Sequence, residues 1–273
     1  MKPFLKWAGG KYRLVDLIVK SLGQGNRLIE PFAGSCAVSL NTNYNSYWIN
    51  DVNNDLISLY SIIVGDDSGF NSLIKCIERW FNNGNNPATY YQARNQFNQE
   101  KNLIDKAALF IYLNRHCFNG LCRYNLKGQF NVPFGKYKTI HYPVEELQTF
   151  RSKLQNAKFT CCDFRDVMSN ADKGDVIYCD PPYVPISKTS NFTAYAPGIF
   201  GPADQRDLVT LAEEVSGRGI TVVISNHYNE ATKELYKNSE MIVFPVNRSI
   251  SCNANNRQAV EEILAVYKQE AKT

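Results

Sequence analysis

Apolar residues along this chain fall first into short strand-like runs separated by turns, then into a long helical stretch, then into strand-like runs again. Arg27-Leu28-Ile29-Glu30 reads as a short buried strand, and Tyr47-Trp48-Ile49-Asn50-Asp51 as a second one ending in a carboxylate. Between them the small-residue turn Pro31-Phe32-Ala33-Gly34-Ser35 opens onto a helix-like Cys36-Ala37-Val38-Ser39-Leu40. From about Leu56 to Leu113 the period becomes helical, with Leu56, Leu59, Tyr60 and Ile63 on one face and Ala107, Ala108, Ile111 and Tyr112 on another. Strand patterns resume at Lys158 to Cys162, then at Asp175 to Cys179, Ile220 to Ser225, Met241 to Phe244 and Glu262 to Tyr267. A helical segment, Pro202 to Gly217, lies among them. The alternation predicts an α/β fold in which residues 1–55 and 145–273 form the sheet domain and residues 56–144 an inserted, largely helical subdomain. That insert closes on Arg115 to Asn125, where Asn119-Gly120 and the later Lys127-Gly128 are hairpin-turn signals.

With 273 residues and 44% hydrophobic content, the chain can bury one full core. A net charge of +4 is only mildly basic, so it neither requires nor excludes a nucleic acid, and local placement of Lys and Arg must decide. Lys2, Lys6 and Lys11 have no long apolar run behind them, which argues against a secretory signal, and no stretch approaches membrane-spanning length. The eight cysteines lack zinc-ligand spacing and read as reduced, mostly buried thiols in a cytoplasm, with no metal site and no disulfide framework.

Four segments carry candidate chemistry. The most specific is Asp180-Pro181-Pro182-Tyr183 at the end of an apolar strand, where open α/β sheets bind ligands. A solvated Asp with a Pro-Pro exit is the plain alternative for the first three residues; the Tyr and the preceding strand tip the balance. A conjugated exocyclic amine, as on adenine, is a poor nucleophile because its lone pair is delocalised. Asp180 and the Pro181 carbonyl, held stiffly by two prolines, could accept its two hydrogens and restore electron density, while Tyr183 stacks on the ring. The second segment is the turn Phe32-Ala33-Gly34-Ser35 followed by Asp51, which suits close approach of a cofactor and a carboxylate on ribose hydroxyls; a merely tight connection is the competing reading. Lys6-Trp7-Ala8-Gly9-Gly10-Lys11 is the third, a basic and aromatic turn for which, taken by itself, a loose N-terminus with one buried Trp is the favoured reading. The fourth runs from Arg115 to Lys138 and interleaves Arg115, Arg123, Lys127, Lys136 and Lys138 with Phe118, Tyr124, Phe130, Phe134 and Tyr137. Bases and phosphates of a duplex ask for that mixture, although an ordinary surface hairpin with inward aromatics would look the same.

These segments, together with Phe130 to Gly135, Asn191-Phe192-Thr193-Ala194-Tyr195 and Ser225-Asn226-His227, resemble the Dam-type DNA adenine methyltransferases of the α group over nearly the whole chain. The resemblance implies a Rossmann-like methyltransferase sheet with S-adenosylmethionine as donor, and double-stranded DNA as the substrate, methylated on adenine in GATC. It also implies an inserted target-recognition domain carrying a β-hairpin, and a cytoplasmic protein that is monomeric in solution. By position, Trp7, Lys11, Phe32, Ala33, Gly34, Ser35, Asp51, Phe164 and Asp180 would serve the cofactor, and Asp180, Pro181, Pro182 and Tyr183 would form the catalytic tetrad holding a flipped base. Lys6 would touch the first guanine, Arg123 the outer guanine of the other half-site, and Leu121 and Pro133 the inner base pairs. Phe118 and Asn119 would enter the stack, and Asn125 and Lys136 would meet phosphates.

Two departures from that pattern stand out. Cys36 replaces a frequent glycine, and Cys252-Asn253-Ala254-Asn255-Asn256-Arg257 replaces a glycine-rich basic stretch, which implies fewer phosphate contacts and a shallower salt dependence. The competing readings are methylation of RNA or of a protein glutamine, a DNA-binding module that has lost catalysis, and a dehydrogenase. The Arg123 hairpin weighs against the first, the intact tetrad against the second and the absence of GxGxxG against the last.

Overall fold

The computed structural model describes residues 1–183, 200–246 and 260–269; the Asn191 to Tyr195 block and the Ser249 to Arg257 stretch lie outside them. Numbered over the described residues, the strands are β1 (Arg27–Glu30), β2 (Ser46–Asn50), β3 (Ala157–Thr160), β4 (Asp175–Cys179), β5 (Thr221–His227), β6 (Glu240–Val246) and β7 (Val260–Tyr267). The helices are α1 (Val15–Leu22), α2 (Asn54–Val64), α3 (Asp67–Asn82), α4 (Pro87–Phe97), α5 (Leu103–His116), α6 (Val144–Lys153), α7 (Phe164–Ser169), α8 (Pro202–Gly217) and α9 (Glu230–Leu235). The strands form one seven-stranded sheet in the order β3-β2-β1-β4-β5-β7-β6, the Rossmann-like arrangement expected, with an antiparallel β7 set between β5 and β6. Among the described residues no helix is long and apolar enough to cross a membrane.

The chain divides into two compact units. One comprises residues 16–32, 44–48 and 162–273. Here β1, β4 and β5 run parallel, with Leu28 opposite Val176 and Ile177 opposite Val222. Every residue of β4 is buried, which suits a central parallel strand covered on both faces. Its core joins Ile29, Ile177, Val222, Ile224, Ile263 and Ala265 of the sheet to Phe164, Val167 and Met168 of α7 and Leu208, Ala212 and Val215 of α8. Buried Asp175 at the start of β4 is paired bidentately by Arg27, whose Nε and Nη2 donate at 3.0 and 2.6 Å.

The other unit comprises residues 1–15, 33–43 and 49–161. Its helices begin where the sequence offers an Asn or Asp to accept from the first free backbone N–H groups: Asn53 caps α2, Asp66 α3, Asn86 α4 and Asn102 α5. Residues 107–116 of α5 are all buried, and α2, α3 and α4 pack around it. A helix apolar on every side is one that neighbours enclose.

Two local readings are corrected. Cys36 does not open a helix. Its φ of 57° is left-handed, and only a short 3-10 turn, Ser39–Asn41, follows. A five-residue apolar run is too short for its period to separate a helix from a buried turn. The same φ explains why a glycine suits position 36, since only glycine adopts it without cost. The hairpin is also slighter than its turn signals suggest: two isolated antiparallel bridges, Cys117 to Phe134 and Tyr124 to Phe130, hold it.

The core makes a quantitative expectation. Ile177 is fully buried between β1 and β5, so Ile177→Ala should cost about 2–5 kcal/mol in urea unfolding. A loss below about 1 kcal/mol would mean that the surrounding side chains close the cavity.

Candidate functional site

In the first unit, the buried run of β4 ends at Asp180, where the chain leaves the sheet through buried Pro181 and exposed Pro182. Asp180 Oδ1 accepts from Ser225 Oγ at 2.9 Å, and the Tyr178 hydroxyl lies 3.0 Å from that same Ser225 Oγ. Burial first, and then the Asp180 charge, pushes the Tyr178 phenol well above its ordinary value, so Tyr178 serves as a donor. Tyr183 donates to Glu262 Oε2 at 3.2 Å, and its ring meets the edge of His227 with centroids 4.5 Å apart. Burial, then Asp180, likewise raises the Tyr183 phenol, which keeps the ring neutral. Gln205, buried on the first turn of α8, donates through Nε2 to the Pro182 carbonyl at 2.9 Å.

Phe32, at the exit of β1, and Phe164, at the start of α7, have ring centroids 5.3 Å apart, and Phe200 closes the group at 5.4 and 5.6 Å. Next to it Arg165 binds Asp204 and Asp207, each at 2.6 Å, and Asp163 at 3.1 Å, tying α7 to the first turns of α8.

In the second unit, the turn after β1 folds back on the end of β2. Asp51 Oδ2 accepts from the Gly34 N–H at 3.0 Å and Oδ1 from the Asn53 N–H at 2.9 Å. Burial pushes the Asp51 carboxyl up, and these two N–H groups oppose the shift. Gly34 has φ 48°, and a Cβ there would lie 2.6 Å from Trp7 Nε1. The indole can therefore sit against the turn only because position 34 has no side chain. Ala33 and Ser35 are buried beside it, and nearly buried Lys11 donates from Nζ to the Gly9 carbonyl at 2.6 Å.

The segment from Arg115 to Lys138 stands on the same unit. Lys6 and Asn114 exchange two hydrogen bonds, Lys6 N–H to Asn114 Oδ1 at 2.9 Å and Asn114 Nδ2 to the Lys6 carbonyl at 2.7 Å. Lys6 Nζ donates to the Arg115 carbonyl at 3.2 Å and lies 3.7 Å from the centre of the Tyr137 ring. Burial, then the Arg115 charge, lowers the Lys6 pKa. Asn119 and Gly120 both take positive φ, 55° and 62°, and the Leu121 N–H closes the turn on the Phe118 carbonyl, the Asn-Gly turn that the dipeptide signals. A Cβ on Gly120 would collide with Lys6 Cβ. Phe118 is 49% exposed, and Asn119, Arg123, Asn125, Pro133 and Lys136 are exposed as well, with Leu121 partly so. Arg123 Nε donates to Asn131 Oδ1 at 2.8 Å, which orients an otherwise solvent-facing guanidinium.

Not every candidate of this segment faces outward. Arg115 is 9% exposed and donates to the Phe4 and His141 carbonyls, so it braces the fold. Tyr124 donates to Asp55 at 2.8 Å, Phe130 is buried, and Phe134 packs on Tyr90; of the aromatics in the segment, Phe118 is the exposed one. His116 is buried against Tyr112 and pushed down to about 4 by burial, so it packs as a neutral ring. Of the described cysteines, Cys36, Cys117 and Cys179 are buried and Cys161 is exposed.

Glu262, Gln205 and Phe200 were not legible as site residues. Gln205 alone left a trace, as a polar side chain on the stripe that Leu208, Val209, Ala212 and Val215 continue along α8.

The chain matches the family described as D12 class N6 adenine-specific DNA methyltransferase over residues 7–250, and it belongs to that family. It is thus an adenine-specific DNA methyltransferase by class. Its similar relatives include the DNA adenine methylase of Serratia marcescens, 47% identical over 268 residues that cover 98% of either chain. The DNA adenine methylase of Escherichia coli K12 is 46% identical over 267 residues, 98% of this chain and 95% of that one. That of Haemophilus influenzae is 46% identical over 269 residues, 97% and 93% of the two chains.

Gly34→Ala should cost roughly 1–3 kcal/mol, combining a left-handed φ with the clash on Trp7. Urea unfolding followed by intrinsic fluorescence would measure it; an unchanged midpoint and emission would mean that the indole moves aside freely.

Proposed function

We propose that this chain transfers a methyl group from S-adenosylmethionine to N6 of an adenine flipped out of duplex DNA, within GATC. The observation that supports it most is a carboxylate, Asp180, at the end of a fully buried strand, followed by a Pro-Pro-Tyr whose carbonyl and phenol ends are themselves hydrogen-bonded.

The residues available fit a sulfonium nucleoside. Asp51 is a half-buried carboxylate suited to ribose hydroxyls, Phe164 and Phe32 are suited to an adenine ring, and the Ala33-Gly34-Ser35 turn is small. Trp7 and Lys11 are assigned to the same ligand, as is Asp180. When bound, the donor would supply an electrophilic methyl carbon and leave as the neutral thioether, while the acceptor nitrogen would give up one proton. The chain's part is to make the acceptor nitrogen available. Asp180 and the Pro181 carbonyl each accept one amine hydrogen, drawing the lone pair out of conjugation, and Tyr183 stacks on the extruded base. Holding that base in line supplies the larger share of the acceleration.

Target choice is assigned to residues 56–144 as an inserted recognition domain acting with Lys6. Exposed Arg123 presents the fork that pairs with a guanine edge, and Leu121 and Pro133 contact the inner pairs. Phe118, apolar and 49% exposed beside Asn119, fills the gap that an extruded base leaves. Asn125 and Lys136 take phosphates. The protein works in this reading as a cytoplasmic monomer that needs no metal.

Transfer of labelled methyl to duplexes with GATC, to the same duplexes with one base changed, and to single-stranded RNA tests the reading; label on RNA alone, or on every duplex equally, would overturn it. Asp180→Ala should abolish turnover and leave duplex affinity nearly unchanged, and persistent turnover would remove Asp180 from the mechanism. Arg123→Ala should relax selection at one base pair by about 1–3 kcal/mol, measured as the ratio of kcat/KM between cognate and substituted sites. Equal weakening on every sequence would make Arg123 a phosphate contact instead.

A further inference from the structure

The Asp-Pro-Pro-Tyr segment is anchored at both ends of its proline pair, and neighbouring residues of β5 stand behind both anchors. Ser225 holds the Asp180 carboxylate at 2.9 Å. The next residue, Asn226, donates from Nδ2 to Gln205 Oε1 at 3.4 Å and to the Tyr236 hydroxyl at 2.9 Å, and Tyr236 donates to the same Gln205 oxygen at 3.2 Å. Gln205 Nε2 then donates to the Pro182 carbonyl at 2.9 Å. Asn226 and Tyr236 are wholly buried, and Gln205 is 5% exposed.

The directions of donation are settled by chemistry. A carbonyl only accepts, so the Gln205 atom facing Pro182 is the amide nitrogen, and its oxygen must then face the two donors. Burial raises the Tyr236 phenol, which keeps it protonated and donating. Pro181 lies between the two anchored residues, and both proline rings fix φ. With Asp180 and the Pro182 carbonyl held, little torsional freedom remains to the Pro181 carbonyl.

We infer that Gln205, oriented by Asn226 and Tyr236, is a positioning residue that aims the Pro181 carbonyl at the amine of the target base. This rests on the reading that Asp180 and Pro181 receive that amine. A purely structural Gln205 would stabilise the contact of α8 with β5 and leave the chemical step alone. An aiming Gln205 acts on kcat.

Gln205→Met keeps the length of the side chain and removes its donor; Gln205→Glu keeps size and polarity but replaces the nitrogen that faces Pro182. Each is compared as the full chain with the wild type on a GATC duplex. The readouts are kcat, KM for S-adenosylmethionine and for DNA, thermal unfolding, and the fluorescence of 2-aminopurine at the target position. A folded variant should lose roughly ten- to hundredfold in kcat, as a small misplacement of an aligned group does. Both KM values should stay within about threefold and the fluorescence rise on binding should persist, because binding and extrusion are untouched. Wild-type kcat in either folded variant overturns the inference. A fall in kcat that merely follows a lost folded fraction overturns it also. If instead the wild type fails on the duplex, or Asp180→Ala still turns over, the underlying functional reading fails, and the two failures are thereby told apart.

Discussion

A strand with no polar face must put its polar chemistry at its ends, and β4 is such a strand. All five of its positions are buried between parallel neighbours, so the acids that bracket the apolar run are the places where it meets charge. The two ends are treated differently. Asp175 receives a bidentate guanidinium from Arg27, a pairing that makes a buried carboxylate tolerable and spends its charge on the fold. Asp180 accepts from the Ser225 hydroxyl, which orients one of its oxygens. The C-terminal end of the strand thereby carries an oriented carboxylate, where a parallel sheet opens its crevice.

The other unit solves a different problem, the display of side chains from a stiff base. Only two bridges pair the hairpin with itself, so its rigidity comes from what it stands on. Tyr124 is tied to Asp55, Asn98 brackets Phe130 by donating to its carbonyl and accepting from its N–H, and Tyr90 donates to the Val132 carbonyl. The inward aromatics are the footing, while Phe118, Asn119, Arg123, Asn125, Pro133 and Lys136 stay outside. The same division explains Lys6. Its backbone is locked to Asn114 and its stem lies against Gly120, so the first turn of the chain and the Asn119-Gly120 turn are built as one piece.

Strand positions in the sequence follow from composition alone wherever a strand is buried on both faces, and β1, β4 and α8 stand where their apolar patterns put them. The segment from Asp180 to Tyr183 stood out as a candidate because its residue types are unusual together and because a strand precedes them. Short or mixed signals fared less well. The run after Gly34 has apolar residues in a helical order, yet the left-handed Cys36 turns it into a bend, a backbone state that side-chain pattern does not encode. Arg115 counted as a cation for DNA until burial showed it donating to the Phe4 and His141 carbonyls, because charge in a sequence says nothing of what surrounds it.

The sequence by itself determined the class of sheet, the positions of the acid-proline-proline-aromatic segment and of the small-residue turn after β1, and the basic, aromatic character of the segment from Arg115 to Lys138. Each of these is a local property, written in residue types at fixed spacing. Tertiary structure alone decided which aromatics face solvent, that Arg27 pairs with Asp175, and that Glu262, Gln205 and Ser225 reach Tyr183, Pro182 and Asp180 from 79, 23 and 45 residues away. Such partners are chosen by the packing of whole elements, and no spacing rule within one segment can name them.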